Sequence, residues 1–264
     1  ILPYRDELSM EKPFLEAYVR QIVRSSHKRG INAIGGMSAF IPTGDKLTDE
    51  KVLNKITDDK IMEIDRGCDG AWVAHPGLIK PMKELFNEKL GKKNQIEFVP
   101  NEEISEEMIN DTPNNFVVSQ KELRQNINIS LQYISAWLSG NGAVALNGLM
   151  EDLATSEISV FQIKQWYDNN QEIVGDDTKL FLNTSLFESI LEDEFKKMVI
   201  DNQVRYADRY SELAKKVLRE YVYNDHNFLP DVATKYLNID NGFEGIRWDE
   251  DTYKRISGSR GYVS

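Results

Sequence analysis

Two adjacent carboxylates, Glu151 and Asp152, stand at the start of a predicted helix and are the residues best suited to acid–base chemistry. Apolar Met150 and Leu153 flank them, so the pair is expected to be partly removed from water. A carboxylate in that setting can cap the helix by accepting backbone N–H groups, or it can accept a proton from a substrate as a general base. The two interpretations are compatible, and these residues alone leave both open.

The histidines and the cysteine are weaker candidates for chemistry. His27, His75 and His226 are far apart, and none has metal-ligand spacing, so a zinc enzyme is not predicted. His75 follows a predicted strand and is a candidate ligand, whereas His27 is expected to be a solvated cation at a helix end and His226 a surface residue. Cys68 adjoins Asp69, whose charge raises a thiol pKa and disfavours a nucleophilic role.

The elements that must position these residues alternate in the first part of the chain. Helices are predicted over 13–29, 49–66 and 78–90, and buried strands over 31–34 and 71–74. This order is typical of parallel α/β folds, in which ligands gather at the loops after the strands, here 35–42 and 75–78. Gly35 and Gly36 lack the spacing of phosphate-binding loops and are predicted to form a tight turn.

A polar, acidic connection follows from residue 91, and the second half of the chain is predicted to be an all-α module. Its helices are predicted over 119–138, 156–167, 182–199 and 203–223. Ser119 and Glu122 have capping-box spacing at the start of the first of these. The side chains expected to face inward along that helix are Leu123, Ile127, Leu131, Ile134 and Leu138.

Composition excludes several classes of protein. The formal net charge of −11 over 264 residues argues against a nucleic-acid or membrane-surface role. The apolar stretches are too short to span a bilayer, while the 41% hydrophobic content suffices for a sizeable core. A single cysteine, no visible secretory signal and no C-terminal Ser-Lys-Leu predict a cytoplasmic location.

Four segments resemble one enzyme family, malate synthase in its shorter A-type form. They are RGINAIGGMSAFIP over 29–42, DGAWVAHPGL over 69–78, LRQNI with YISAWLSGNG over 123–142, and LMEDLATSEIS over 149–159. The resemblance implies the C-terminal part of a TIM (β/α)8 barrel followed by a helical C-terminal plug domain. We therefore expect barrel residues over 1–90, a linker over 91–118 and a helical domain over 119–264.

The resemblance also implies a reaction, the glyoxylate-cycle condensation of acetyl-CoA with Mg²⁺-bound glyoxylate, followed by thioester hydrolysis to malate and CoA. Asp152 matches the family's catalytic aspartate, which removes a proton from the acetyl methyl group. By the same match, Met150 and Pro76 would line the acetyl-CoA channel. Three positions depart from the family pattern: Val160 stands where the family usually has arginine, Leu153 where it has alanine, and Ala143 where it has cysteine.

The family's catalytic arginine and both of its acidic Mg²⁺ ligands match no position here and lie upstream of residue 1. We therefore expect the C-terminal half of the enzyme, inactive alone, with the N-terminal half supplied in cis or in trans. The tail 231–264 matches the family poorly. The alternative is a catalytically silent module that acts by association with another chain, because the missing strands imply exposed sheet edges.

Overall fold

The computed structural model describes residues 1–42, 44–101, 103–111, 116–175, 178–200, 209–226 and 228–237. The helices are α1 (Pro13–His27), α2 (Lys46–Asp65), α3 (Ile79–Leu90), α4 (Glu106–Asn110), α5 (Gln120–Leu138), α6 (Leu153–Asp168), α7 (Thr184–Ile200), α8 (Arg209–Tyr223) and α9 (Leu229–Leu237). The strands are β1 (Ile34–Ser38), β2 (Gly70–Val73), β3 (Val118–Ser119), β4 (Ala143–Leu146), β5 (Leu149–Asp152), β6 (Glu172–Val174) and β7 (Lys179–Phe181). None of the described helices is long and apolar enough to cross a membrane. Residues 203–208 of the last predicted helix and the tail from 238 lie outside the described residues.

The first part of the chain is a β-α-β unit between two further helices. Strands β1 and β2 pair in parallel, with Ile34 opposite Gly70 and Ser38 opposite Val73, and α2 makes the crossover that parallel pairing requires. Ile56 of α2 packs with Leu78 and Met82 in a small buried cluster. The predicted alternation of helices and strands is confirmed, and the described residues contain no closed barrel.

The two strands differ in detail from the prediction. Strand β1 begins at Ile34, the last residue of the predicted strand, and includes Gly35 and Gly36, so the predicted bounds and the predicted tight turn at these glycines were wrong. The predicted burial of this strand was wrong at Ile31 and Ile34, which are exposed. Position 35 needs glycine for close packing rather than for a turn, because a Cβ built on Gly35 would overlap the carboxylate of Glu63. The predicted burial of the second strand was also wrong at Trp72, which is 65% exposed because the faces of this two-stranded sheet are open.

Helix α5 is the centre of the second part of the chain. Ser119 and Glu122 form the predicted capping box, and the five side chains predicted to face inward are buried. Helices α6, α7, α8 and α9 pack around α5. The largest side chains of the shared core are Trp166, Tyr221 and Phe187. Both predictions for α5 are therefore confirmed.

The second part of the chain is not purely helical, and the prediction of an all-α module was wrong. Strands β4 and β5 form an antiparallel hairpin between α5 and α6. Strands β3, β6 and β7 form a second small sheet, in which β6 pairs in parallel with β3 and antiparallel with β7. The strands are only two to four residues long, too short for a two-residue periodicity to be read reliably from sequence.

The first residues of the chain pack against α6. The indole of Trp166 donates a hydrogen bond to the Leu2 carbonyl oxygen at 3.0 Å, and the Leu2 amide donates to Gln165 Oε1 at 3.0 Å. Gln162 donates to the carbonyl oxygen of Pro3. Tyr4 is buried in the same core as the helices. The start of the chain is thus part of the helical core.

Candidate active site

The carboxylates singled out in the sequence lie on a hairpin rather than in a loop. Strands β4 and β5 meet at Asn147 and Gly148, whose φ angles of 53° and 77° are both left-handed. Such a pair of central residues defines the two-residue turn that matches strand twist, and asparagine followed by glycine suits it best. Ala143 lies opposite Asp152 at the open end of the hairpin.

Asp152 ends β5 and caps α6. Its Oδ1 accepts a hydrogen bond from the Thr155 amide at 3.1 Å, and its own amide donates to Thr155 Oγ1 at 2.9 Å. Within the described part of the chain, Oδ2 accepts no hydrogen bond. Asp152 is therefore a partly exposed carboxylate, anchored through one oxygen and open to a proton at the other.

Tyr133 of α5 lies close enough to Asp152 to be influenced by its charge. Burial and, second, the Asp152 carboxylate raise the pKa of Tyr133 to about 12. Its hydroxyl donates to the carbonyl oxygen of Gly142 at 3.1 Å. Tyr133 therefore stays protonated and neutral beside the candidate base at physiological pH.

Glu151 has a different partner from its neighbour. It is 2% exposed and forms a two-pronged ion pair with Arg5, from Nη2 to Oε1 at 2.7 Å and from Nη1 to Oε2 at 3.3 Å. Consecutive side chains of a strand point to opposite faces. Glu151 is therefore held by Arg5 on one face of β5, while Asp152 faces the other way.

The hairpin is fixed to the segment after β1, one of the two loops predicted to gather ligands. The Met150 amide donates to the Ala39 carbonyl oxygen at 2.7 Å, and the Ile41 amide donates to the Gly148 carbonyl oxygen at 2.9 Å. Phe40 and Leu149 form an antiparallel bridge between these hydrogen bonds. The β4–β5 hairpin of the second part of the chain is thus joined by backbone hydrogen bonds to the segment that follows β1.

A cavity of about 400 Å³ lies between the hairpin, β1 and α2. Its polar lining includes Arg5, Glu151 and Thr155 on the hairpin side and Lys60 and Glu63 on the α2 side. Asp152 itself is not one of the lining residues, although its neighbour Glu151 and its capping partner Thr155 are. A larger open cavity of about 680 Å³ lies around Arg124 at the start of α5, on different elements.

Lys60 and Glu63 form a buried ion pair that the sequence did not predict. The Lys60 ammonium donates to Glu63 Oε1 at 2.8 Å and to the Gly36 carbonyl oxygen at 2.7 Å. Burial raises the pKa of Glu63, and Lys60 opposes that shift. Among the described residues, Glu63 Oε2 has no hydrogen-bond partner, and it packs closely against Gly35. The pair connects α2 to the backbone of β1.

The two residues predicted to line an acetyl-CoA channel flank the segment 39–42. Met150 is half-buried on β5, and Pro76 is exposed in the short 3-10 turn Pro76–Leu78. Gly77 of that turn approaches Pro42, because a Cβ built on it would lie 4.0 Å from Pro42 Cγ. His75 Nδ1 accepts from the Gly77 amide at 3.1 Å, so this candidate ligand caps its own turn.

The three departures from the family pattern occupy different environments. Val160 is fully buried in the core around α5, Leu153 is 36% exposed at the start of α6, and Ala143 faces Asp152 across the hairpin. An arginine at the position of Val160 would need a buried partner. The core around α5 is therefore adapted to valine.

The expectation that His27 is a solvated cation was wrong. Its side chain is 4% exposed, and its ring nitrogens face Asp69 Oδ2 at 2.9 Å and the carbonyl oxygen of Phe98. Asp69 also accepts a hydrogen bond from the Ala33 amide at 2.7 Å. His27 is therefore a structural contact between α1 and the start of β2. His226 is half-buried beside Tyr221, rather than fully on the surface.

Cys68 is buried, and its thiol should be unreactive in the folded chain. Burial and, second, the charge of Glu63 raise the pKa of Cys68 to about 12, far above the ordinary value for a thiol. We expect Ellman's reagent at about pH 8 to release no colour from the native chain and one equivalent after unfolding in guanidinium. Stoichiometric labelling of the native chain would contradict the buried position.

Arg5, Lys60, Glu63 and the hairpin are the parts of this site that sequence reasoning missed. Asn147 followed by Gly148 between apolar residues was a readable hairpin signal. The spacing of Lys60 midway between Ile56 and Ile64, four residues from each, placed it on the buried stripe of α2. No signal in the sequence indicated that Arg5 pairs with Glu151.

Comparisons with known proteins identify the family to which both parts of the chain are similar. A family model described as malate synthase, TIM barrel domain matches residues 1–111, and one described as malate synthase, C-terminal matches residues 117–237. Malate synthase A of Escherichia coli is 36% identical over 85% of this chain and 42% of its own length. Malate synthase of Myxococcus xanthus is 35% identical over 83% of the chain and 40% of its own length. The glyoxysomal malate synthase of Candida tropicalis is 37% identical over 75% of the chain and 36% of its own length.

The two family models adjoin and together cover both parts of the chain. The chain belongs to the malate synthase family. It spans about two fifths of the length of the curated relatives that it matches. The predicted family is thereby confirmed.

Proposed function

We propose that this chain supplies the general-base part of a malate synthase active site, which condenses acetyl-CoA with glyoxylate. Asp152 carries the proposal, because it combines an anchored Oδ1 with an Oδ2 that accepts no hydrogen bond from the described residues. A proton on the methyl group of a thioester is weakly acidic, so its removal needs a carboxylate held at a fixed position. The similarity of the chain to proteins named malate synthase supports this reaction.

The proposed reaction assigns a task to each nearby group. Asp152 Oδ2 takes a proton from the acetyl methyl group, and the resulting enolate carbon bonds to the aldehyde carbon of glyoxylate, whose oxygen takes up a proton and becomes the hydroxyl of malate. Water then hydrolyses the thioester C–S bond and releases CoA and malate. Neutral Tyr133 adds no charge that would compete with the carboxylate. Met150 and Pro76, on either side of segment 39–42, are proposed to contact acetyl-CoA.

The described residues do not fit a magnesium ion. No group of three or more His, Cys, Asp or Glu side chains suited to a metal occurs among them. Three carboxylates line the cavity, Asp59, Glu63 and Glu151, and two of them are already paired, Glu63 with Lys60 and Glu151 with Arg5. Magnesium, which the family resemblance implies, stays a prediction, and the steps above use only Asp152. The cytoplasmic location and the three predicted domain ranges also stay predictions.

The experiment measures glyoxylate-dependent release of CoA from acetyl-CoA in the presence of Mg²⁺. It compares the chain alone, the chain mixed with an N-terminal half of Escherichia coli malate synthase A, and a fusion of the two. We expect turnover in the fusion or the mixture and none in the chain alone. Malate is identified by mass, so that simple thioester hydrolysis is not mistaken for condensation.

The alternative is a non-catalytic module that acts by association with another chain. Exposed apolar side chains on the two-stranded sheet favour association, namely Ile34, Met37 and Trp72. A folded chain that binds the N-terminal half without restoring turnover in any form would support this alternative and contradict the enzymatic proposal.

A further inference from the structure

The pair of Arg5 and Glu151 joins two parts of the chain that are far apart in sequence. Arg5 lies in the 3-10 turn Arg5–Glu7, and Glu151 lies in β5, directly before Asp152. The guanidinium contacts both carboxylate oxygens, and both side chains are largely removed from water, at 16% and 2% exposure. A planar fork of this kind fixes direction as well as distance.

Glu151 and Asp152 are consecutive residues of β5, so the hold on Glu151 bears on the direction in which Asp152 points. Because consecutive side chains leave a strand on opposite faces, holding Glu151 at both oxygens fixes the rotation of β5 about its own axis. That rotation sets the side on which Asp152 Oδ2 lies. The other anchors act differently: the Met150 amide bond to Ala39 holds the backbone, and the Thr155 amide holds Oδ1.

We propose that Arg5 is a positioning residue that acts through Glu151 to orient Asp152 toward its substrate. This inference rests on the proposed function for its catalytic consequence. It also makes a structural statement about β5 that is measurable without substrate. Arg5 itself touches no reacting atom in this scheme.

The first test replaces the fork and keeps the charge. Arg5→Lys is assayed in the fusion enzyme, because lysine offers a point charge that cannot contact both oxygens in the same geometry. We expect kcat to fall by about 10- to 100-fold, the loss that misplacing a catalytic group causes, while the KM for acetyl-CoA changes by less than about twofold. Arg124→Lys is the matched control, because Arg124 also pairs with a buried carboxylate, Glu194, but lies by the other cavity. Its kcat should not change.

A double substitution separates positioning from stabilisation. Arg5→Met with Glu151→Met leaves no unpaired buried charge, so the chain should unfold at the same denaturant concentration as the wild type, within error. If the pair of Arg5 and Glu151 only stabilised the fold, the two methionines would replace it and kcat would equal the wild-type value. That result would overturn the proposal. We expect kcat to stay about 10-fold or more below wild type, with KM unchanged.

Amide hydrogen exchange distinguishes a failure of this inference from a failure of the proposed function. In the chain without substrates, Arg5→Lys should speed exchange at the Asp152 amide by about 10-fold and leave that of Ile134, in the middle of α5, unchanged. If no form of the enzyme turns over but this exchange is faster, the proposed function fails and the orientation of β5 by Arg5 stands. Unchanged exchange, or an active wild type with equally active Arg5→Lys, overturns the inference.

Discussion

Turnover should fall by about 10²- to 10⁴-fold when Asp152 is replaced by asparagine in the fusion enzyme, the range that a general base contributes. The amide has nearly the same shape as the carboxylate but cannot accept the proton of the acetyl methyl group. The KM for acetyl-CoA should change by no more than about threefold, because asparagine removes an interaction made in the transition state. The measurement is malate formation under saturating glyoxylate.

The substitution is well matched, because asparagine caps helices about as well as aspartate. The amide oxygen can still accept from the Thr155 amide, so the urea midpoint of the variant should equal that of the wild type. Ser119→Ala is a useful contrast, since it removes the cap of α5 and should lower stability by about 1 kcal/mol without removing the base. Turnover within twofold of wild type in Asp152→Asn would end the role of Asp152 as the base.

Lys60→Met should destabilise the chain by about 3–5 kcal/mol, the cost of breaking a buried ion pair on one side. Glu63 is 3% exposed and would lose its cation, while Gly35 leaves no room for it to swing away. The measurement is the free energy of unfolding in urea at about pH 8, where the unfolded carboxyl is ionised.

The pH dependence of this loss provides a second check. Burial already raises the pKa of Glu63 in the folded chain, and losing Lys60 raises it further. The folded variant then binds a proton more readily than the unfolded chain, so its stability increases as the pH falls. We expect the deficit relative to wild type to shrink between about pH 8 and pH 5. A pH-independent deficit would show that packing, rather than charge, is lost.

Lys60→Met with Glu63→Met is the matched control for this prediction. It removes both charges and keeps apolar volume, so most of the lost stability should return. A double variant as unstable as Lys60→Met would mean that the hydrogen bond to Gly36, rather than the ion pair, holds α2 against β1.

The helix α5 was predictable because its signals are local. Ser119 and Glu122 are three residues apart, and the inward side chains repeat at helical spacing along 19 residues, so no distant contact decides the outcome. Asp152 as a cap was readable for the same reason. The hairpin carries a local signal too, at Asn147 and Gly148, but its strands are four residues each and lack a clear alternation.

The rest of the site depends on partners that sequence does not bring together. His27 became buried because Asp69, 42 residues later, and the Phe98 carbonyl converge on its ring. Glu151 is paired by a residue 146 positions earlier. The burial of Glu63 depends on its close approach to Gly35 of β1. Nothing in the charge pattern of α2 distinguishes Glu63 from the solvated carboxylates of the same helix.

The packing of residues 2–5 against α6 and β5 has a consequence for folding kinetics. These contacts close loops of roughly 150 residues, as with Leu2 and Trp166, which are 164 positions apart. Contacts between distant positions form late, because loop entropy must first be offset by local structure. The helices should therefore assemble before residues 2–5 dock, and Trp166, whose indole meets Leu2, is placed to report that final step by its fluorescence.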